Sequence, residues 1–148
     1  MKALIIYDSI HGNTEKIAHA ISQGLNNAST VVNVVNTSMD LKSFDLIVVG
    51  CPTHGGRPTK SMQTFLNDLN KSSLEGVNIA TFDTRIKATW VKIFGFAAGR
   101  IANTLKEKGG KLIETPEGFF VKGTEGPILE GELDRATAWG KNLAEKSV

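Results

Sequence analysis

Short apolar runs alternate along the chain with stretches in which apolar residues recur every three or four positions. Uninterrupted apolar runs are typical of strands buried on both faces, and the three-and-four spacing is typical of helices packed on one side. The predicted strands are Leu4–Tyr7, Val31–Val35, Leu46–Val49, Val77–Phe82 and an edge strand made of Lys111–Ile113 and Phe119–Val121, interrupted around Pro116.

Four helices are predicted between and after these strands. The first begins near Asn13 or Thr14, either of which can cap it, and ends at Asn26-Asn27. The apolar face of the second is Met62, Phe65, Leu66 and Leu69. The third runs from Phe94 to Lys108 with Gly109-Gly110 as its C-cap, and the last runs from about Gly131 to Lys146. The side chains that the last helix is expected to bury are Leu133, Ala136, Trp139, Gly140 and Leu143.

Strands that alternate with helices predict βαβ units, hence an α/β domain with a parallel sheet and helices on both faces. In such sheets ligands bind beyond the carboxyl ends of the strands, where the strand order reverses. The loops after strands one, three and four are Asp8–Thr14, Gly50–Pro58 and Asp83–Trp90. They are rich in Gly, Thr, Ser, His and aromatic residues, so position and composition agree on a ligand site.

The loop Ser9–Thr14 joins a strand end to a helix start. It offers hydroxyls, an amide and free backbone N–H groups at the positive end of a helix dipole, which suits a terminal phosphate. A helix cap without any ligand uses the same residue types, so that alternative stays open. The loop matches neither G-x-x-x-x-G-K-[ST] nor G-x-G-x-x-G, which argues against ATP, GTP and dinucleotides.

Two loops resemble those of flavodoxins. The segment Ser9-x-His11-Gly12-Asn13-Thr14 is similar to their S/T-x-T-G-N-T phosphate loop, and the segment 50–56, Gly-Cys-Pro-Thr-His-Gly-Gly, is similar to their G-S-P-T-Y/W-x-G loop. Leu105-x-x-x-Gly109 also resembles the helix that follows their third flavin loop. The resemblance implies a doubly wound five-stranded parallel sheet in the order 2-1-3-4-5, forming a single domain over residues 1–148 that binds FMN.

The resemblance also implies which residues contact the cofactor. The expected FMN-binding residues are Ser9, Ile10, His11, Gly12, Asn13, Thr14, Pro52, Thr53, His54, Gly55, Gly56, Asp83, Thr84, Arg85 and Trp90. Trp90 is placed to stack on the flavin, although it could instead pack its loop onto the third helix. Arg85 is placed to meet the N1–C2=O edge of reduced flavin, although a solvated loop arginine is an equal alternative.

The chain departs from the family pattern in four ways. His11 replaces a usual Thr, His54 and Gly55 occupy the place of a stacking aromatic, and Phe82 with Asp83 opens the third loop differently. The fourth departure is charge, because flavodoxins are typically acidic and this chain has a net charge of +2. That difference puts the usual basic partner proteins in doubt.

Composition limits the remaining possibilities. The chain has 148 residues and one cysteine, Cys51, so it has no internal disulfide or cysteine metal cluster, and its three histidines lack metal-ligand spacing. Cys51 is expected to be a small buried apolar residue. No signal-peptide pattern or membrane-length apolar run occurs, which predicts a cytoplasmic protein. The basic residues are dispersed, which argues weakly against nucleic-acid binding.

The predicted function is a low-potential one-electron carrier between redox proteins, namely a reductase and an electron acceptor. An FMN-dependent NAD(P)H quinone reductase-like enzyme on the same fold is the alternative, because such relatives share the Gly-x-Pro-Thr loop. A flavin-free scaffold also remains possible, since fold does not imply function. A signalling receiver is rejected because the third strand ends in Gly50-Cys51, without a carboxylate to phosphorylate.

Overall fold

A computed structural model describes residues 1–26, 29–87 and 95–147 of the chain. The strands are β1 Ala3–Tyr7, β2 Ser29–Asn33, β3 Leu46–Pro52, β4 Asn78–Ile86, β5 Lys111–Leu112 and β6 Glu117–Val121. The helices are α1 Asn13–Gly24, α2 Lys60–Asp68, α3 Ala97–Glu107 and α4 Glu132–Lys146. Strands and helices alternate as the apolar pattern predicts.

The sheet is parallel in the order β2-β1-β3-β4-β5, and β6 also pairs with β4. β5 and β6 lie end to end along β4, because β5 pairs with Asn78 and Ile79 and β6 pairs with residues from Phe82 to Ile86. They form the fifth strand position with a break between them, so the predicted strand order and the interrupted edge strand are confirmed.

Each face of the sheet carries two helices. One apolar cluster joins the sheet to α1 and α4 through residues such as Ile17, Trp139 and Leu143. The other joins it to α2 and α3 through residues such as Met62 and Ile101. Burial of apolar surface on both faces supplies the main driving force for this three-layer arrangement.

The helices α1 and α4 cross at two glycines. A Cβ atom on Gly140 would lie 2.3 Å from the carbonyl oxygen of Ile21, and one on Gly24 would lie 2.1 Å from that of Thr137. Any side chain at either position would therefore overlap the backbone of the opposite helix. The pair fixes how closely α1, whose first turn borders the ligand loops, lies against α4.

Several predicted strand ends were wrong because residues predicted to lie in loops form hydrogen bonds within the fold. β3 continues through Gly50–Pro52 because these residues pair with 82–84 of β4. β4 continues beyond them to Ile86 because Arg85 and Ile86 pair with β6. β2 ends at Asn33, whose side chain accepts a hydrogen bond from the N–H of Val35 and starts a 3-10 turn. The prediction that Asp83–Arg85 lie in a loop is therefore corrected.

Two predictions about the helices were also wrong. Leu133 is 43% exposed, because Glu132 takes the inward position, where it accepts the N–H of Phe120 and pairs with Arg135. Gly12, with a φ of 89°, is the N-cap of α1, and neither Asn13 nor Thr14 caps it. The predicted glycine stop of α3 lies one residue past the cap: Lys108 is the C-cap residue, Gly109 follows it with a φ of 98°, and the N–H of Gly110 donates to the carbonyl of Leu105.

Candidate functional site

A cavity of about 420 Å³ opens at the carboxyl edge of the sheet. Its size is within the usual range for a small-molecule site, about 300–1,000 Å³. The residues that line it are Ser9, Ile10, His11, Asn13, Thr14, Pro52, Thr53, His54, Gly55, Gly56, Thr84, Arg85, Ile86, Val121 and Thr124. Twelve of these were expected from the sequence, and they come from the ends of β1, β3 and β4.

Two expected residues, Gly12 and Asp83, do not line the cavity wall, and a third, Trp90, lies outside the described part of the chain. Gly12 contributes the left-handed turn that starts α1. Asp83 is fully buried, since its carboxylate is enclosed by Arg85 and the start of α3. Trp90, expected to stack on the ring, and Phe94, expected to start the third helix, lie outside the described residues.

Three lining residues were missed, namely Ile86, Val121 and Thr124. Ile86 and Val121 are paired at the ends of β4 and β6. The signal was available in the sequence, because the fifth strand must also end at the carboxyl edge of a parallel sheet. Searching beyond the end of that strand would have found Val121 and Thr124.

The phosphate-loop residues are organised by Ser9. Its Oγ accepts the N–H of Gly12 at 3.0 Å and that of Glu15 at 3.4 Å. A serine hydroxyl has two acceptor lone pairs and one proton, so the proton remains to be donated elsewhere. Ser9 thus stabilises the turn before α1, as a helix cap without a ligand would. Its hydroxyl proton also remains available to an anion at the start of α1.

Two buried threonines meet at the same end of the cavity. The hydroxyls of Thr14, in the first turn of α1, and Thr84, on β4, are 2.9 Å apart. The pair has two protons and uses one of them between its own oxygens, which leaves one for a ligand. No sequence motif indicates that these side chains contact each other, because they are 70 residues apart.

The loop after β3 forms a two-residue hairpin. The backbone groups of His54 and Arg57 exchange hydrogen bonds of 2.9 and 3.0 Å, and Gly55 and Gly56 lie between them with φ of 55° and 78°. Positive φ at both central positions is the requirement of a type I′ turn, which favours glycine. The glycines therefore form the tight turn, and they also line the cavity.

Asp83 and Arg85 join the end of β4 to the start of α3. Arg85 donates Nε–H and Nη2–H to the carboxylate at 2.7 and 2.8 Å, and the N–H of Ala98 donates to the same carboxylate at 2.9 Å. Burial raises the pKa of Asp83, while Arg85 and the Ala98 N–H act in the opposite direction. Three N–H groups aimed at its oxygens are the surroundings of an ionised carboxylate.

Arg85 is held on its other sides as well. Its guanidinium carbon lies 3.5 Å from the centre of the Phe96 ring, and a Cβ atom on Gly118 would lie 2.2 Å from that carbon. Nearby, the hydroxyl oxygen of Thr53 accepts the N–H of Ala97 at 3.0 Å. The alternative of a freely solvated arginine is therefore wrong, and Arg85 is a fixed part of the cavity wall.

Comparisons with known proteins agree with this geometry. The family model described as Flavodoxin matches residues 5–140. The flavodoxin of Maridesulfovibrio salexigens is 28% identical over 98% of this chain and 98% of its own length. A solved flavodoxin from the domain Archaea superposes with a TM-score of 0.82 at 26% identity, covering 99% of each chain. An NAD(P)H dehydrogenase (quinone) of Azorhizobium caulinodans is 30% identical over 45% of each chain.

The helices of the described part of the chain include none long and apolar enough to cross a membrane. FMN is the cofactor of the flavodoxin family. The cavity fits such a group, because it joins hydroxyl and N–H donors at the start of α1 to an apolar portion that includes Ile86 and Val121. On its fold, its loops and the match across most of its length, the chain belongs to the flavodoxin family of FMN-binding electron-transfer proteins.

Proposed function

We propose that this protein is a low-potential one-electron carrier that shuttles electrons between separate redox proteins. The observation that carries the proposal is the cavity itself, which has an anion site at one end and a shallow, mostly apolar space at the other. When bound, FMN supplies the redox chemistry by taking up and releasing electrons. The chain's own residues bind it, orient it and set its surroundings.

The phosphate of FMN fits at the start of α1. Ser9 keeps one hydroxyl proton to donate, Thr14 keeps another when Thr84 donates to it, and the first-turn N–H groups of α1 add partial positive charge. Hydrogen bonds to a charged group contribute about 1.5–3 kcal/mol each. We assign Ser9, Ile10, His11, Gly12, Asn13 and Thr14 to this end of the cofactor.

The flavin ring fits between the hairpin 54–57 and the end of β4. We assign Pro52, Thr53, His54, Gly55, Gly56, Thr84 and Arg85 to it, with Trp90 kept as a candidate stacking partner. Asp83 neutralises Arg85 before any ligand arrives, because the two side chains already form a bidentate pair. The guanidinium at the ring end therefore adds little net positive charge to a reduced flavin, which supports a low potential.

The quinone reductase alternative rests on fewer residues. Its relative matches 45% of this chain, whereas the flavodoxin of M. salexigens matches 98%. More than half of this chain therefore has no counterpart in that match to the quinone reductase. This difference in the matched share of the chain favours the carrier.

A kinetic experiment separates the two functions. The FMN-loaded protein is mixed with NADPH and a soluble quinone, with and without a separate NADPH-dependent flavodoxin reductase, and NADPH absorbance is followed. The carrier function predicts reduction of the flavin when the reductase is present and negligible NADPH oxidation without it. Free FMN at the same concentration is the control. Rapid quinone-dependent NADPH oxidation by the protein alone would establish the enzyme instead.

A further inference from the structure

Charge is distributed unevenly between the two sides of the cavity. Residues 53–67 and 84–106, which follow β3 and the middle of β4, contain seven of the 17 Lys and Arg residues and none of the 15 Asp and Glu residues. Two carboxylates from outside these segments lie among them, because Asp83 pairs with Arg85 and Asp8 accepts a hydrogen bond from Thr59 at the start of α2. The rest of the chain therefore has an excess of acidic residues. A net charge of +2 conceals this separation.

Three of these basic residues lie together at the carboxyl edge of the sheet, beside the cavity. Arg57 closes the hairpin, Lys60 is the first residue of α2, and Arg100 lies in the first turn of α3. All three are exposed. Lys87, after the end of β4, lies instead 5.4 Å from the centre of the Phe120 ring on β6. We call Arg57, Lys60 and Arg100 the basic face.

A second cleft adjoins the basic face and lies between α2 and α3. It has a volume of about 300 Å³, and its polar lining residues are Arg57, Gln63, Asn67, Arg100 and Thr104. The Gln63 amide already donates to the carbonyl of Pro58, and the Thr104 hydroxyl donates to that of Arg100. The two guanidinium groups are therefore the main donors for an anion, and guanidinium groups bind carboxylates and phosphates well. No carboxylate of the described residues lines this cleft.

The cleft and the FMN cavity are linked by one hydrogen bond. Arg100 donates Nε–H to the carbonyl of Gly56 at 2.8 Å, and Gly56 itself lines the FMN cavity. An anionic group held in the cleft therefore lies on the other side of the hairpin from the cofactor. A partner anchored there would lie next to the hairpin that lines the FMN cavity.

The opposite side of the cavity has a different character. The loop after β6 carries Lys122 beside Glu125, and the first turn of α1 carries Glu15. These exposed charges are of mixed sign, so they do not form a single-sign field. The strongest positive potential at the cavity mouth therefore lies on the α2–α3 side.

We propose that the basic face is the docking surface for a redox partner whose own docking face is acidic, and that the cleft receives one of its carboxylates. This inference rests on the proposed carrier function. Opposite charges raise the rate of encounter about 10- to 1,000-fold at low salt, and screening removes the effect as salt increases. A single electron passes from the reduced flavin to the partner, and no bond forms or breaks.

Two haem proteins of opposite charge test the inference. Cytochrome b5 has carboxylates around its haem edge, and cytochrome c has lysines there, so they serve as acidic and basic probes. Reduced FMN-loaded protein, prepared by photoreduction, is mixed with each ferric cytochrome in a stopped-flow instrument, and haem reduction is followed from about 10 to 300 mM ionic strength. The second-order rate constant with cytochrome b5 should fall at least tenfold with salt, and that with cytochrome c should rise.

A pair of variants with equal net charge locates the effect. Arg57→Glu with Lys60→Glu reverses two charges of the basic face, and Lys42→Glu with Lys71→Glu reverses two exposed charges near the amino ends of β3 and β4. At low salt the first variant should reduce cytochrome b5 at least tenfold more slowly than the wild type. The second should change that rate less than twofold. Equal losses in both variants would overturn the inference, because net charge alone would then explain the rates.

A binding measurement keeps this inference separate from the carrier function. Calorimetric titration of the oxidised protein with ferric cytochrome b5 at low salt should give measurable binding that Arg57→Glu with Lys60→Glu abolishes. If neither cytochrome is reduced but this binding pattern holds, the carrier function is wrong and the docking surface stands. If both are reduced with identical salt dependence and the binding is absent, the docking surface is wrong and the carrier function stands.

Discussion

Replacing Thr14 with valine tests whether the start of α1 binds a phosphate. Valine keeps the shape of threonine and removes only the hydroxyl. In the structure that hydroxyl lies 2.9 Å from the hydroxyl of Thr84, and both side chains are buried. The substitution therefore has two consequences, a lost contact to the phosphate and a buried partner, Thr84, left without its hydrogen bond.

The two consequences have different magnitudes and different readouts. Loss of one hydrogen bond to a charged phosphate costs about 1.5–3 kcal/mol, which weakens FMN binding about 10- to 140-fold. Riboflavin lacks the phosphate, so its affinity should change little. Leaving the Thr84 hydroxyl unpaired costs about 1–3 kcal/mol of stability. The ratio of the riboflavin to the FMN dissociation constant isolates the phosphate contact from the loss of stability.

The assay is fluorescence titration of apoprotein with both ligands, together with urea unfolding of each variant. Thr84→Val is the matched control, because it breaks the same hydroxyl pair from the β4 side. Both variants should lose similar stability, but only Thr14→Val should lower the ratio of dissociation constants. An unchanged ratio in Thr14→Val, with the protein folded, would show that this hydroxyl only joins α1 to β4 and would refute the phosphate assignment.

Three further predictions concern other parts of the chain. Gly140→Ala should lower the free energy of unfolding by about 1–3 kcal/mol, because its Cβ atom would lie 2.3 Å from the carbonyl oxygen of Ile21. Gly99→Ala in α3 is the control, because its Cβ atom would have no neighbour within 4 Å, and it should not destabilise the protein. Urea titrations measure both effects. Burial raises the pKa of the Cys51 thiol to about 12, so iodoacetamide at pH 8 should modify it only after denaturation, and rapid labelling of the native protein would contradict this. If the Gly55–Gly56 peptide rotates on reduction, the φ of Gly56 becomes negative and that of Gly55 stays positive. Alanine is strained at positive φ, so Gly56→Ala should shift the first one-electron potential by about 40 mV and Gly55→Ala should not. Equal shifts in a redox titration would contradict the rotation.

The apolar pattern predicted the helices and the order of the strands because both depend on which residues are buried. It failed where burial of a polar residue was made possible by a distant partner. Asp83 continues β4 because Arg85 and the start of α3 satisfy its carboxylate. Glu132 displaces Leu133 from the core for the same kind of reason, since Arg135 and the N–H of Phe120 pair with it.

For the candidate site, the sequence likewise predicted which segments line the cavity but not the contacts between their side chains. The loop motifs located most of the cavity, because phosphate and ring contacts need particular residue types after particular strands. The motifs could not show that the Ser9 hydroxyl accepts the N–H of Gly12 or that Arg85 pairs with Asp83, since these contacts depend on side-chain geometry. Val121 and Thr124 were missed because they follow the interrupted fifth strand, where no motif occurs.

Titration of the wild-type apoprotein with FMN and with riboflavin, followed by calorimetry and by the flavin absorbance bands, shows whether the chain binds FMN through its phosphate. We expect one FMN per chain and much weaker binding of riboflavin, because the donors at the start of α1 act only on the phosphate. Absence of FMN binding, or equal affinity for the two ligands, would contradict this expectation.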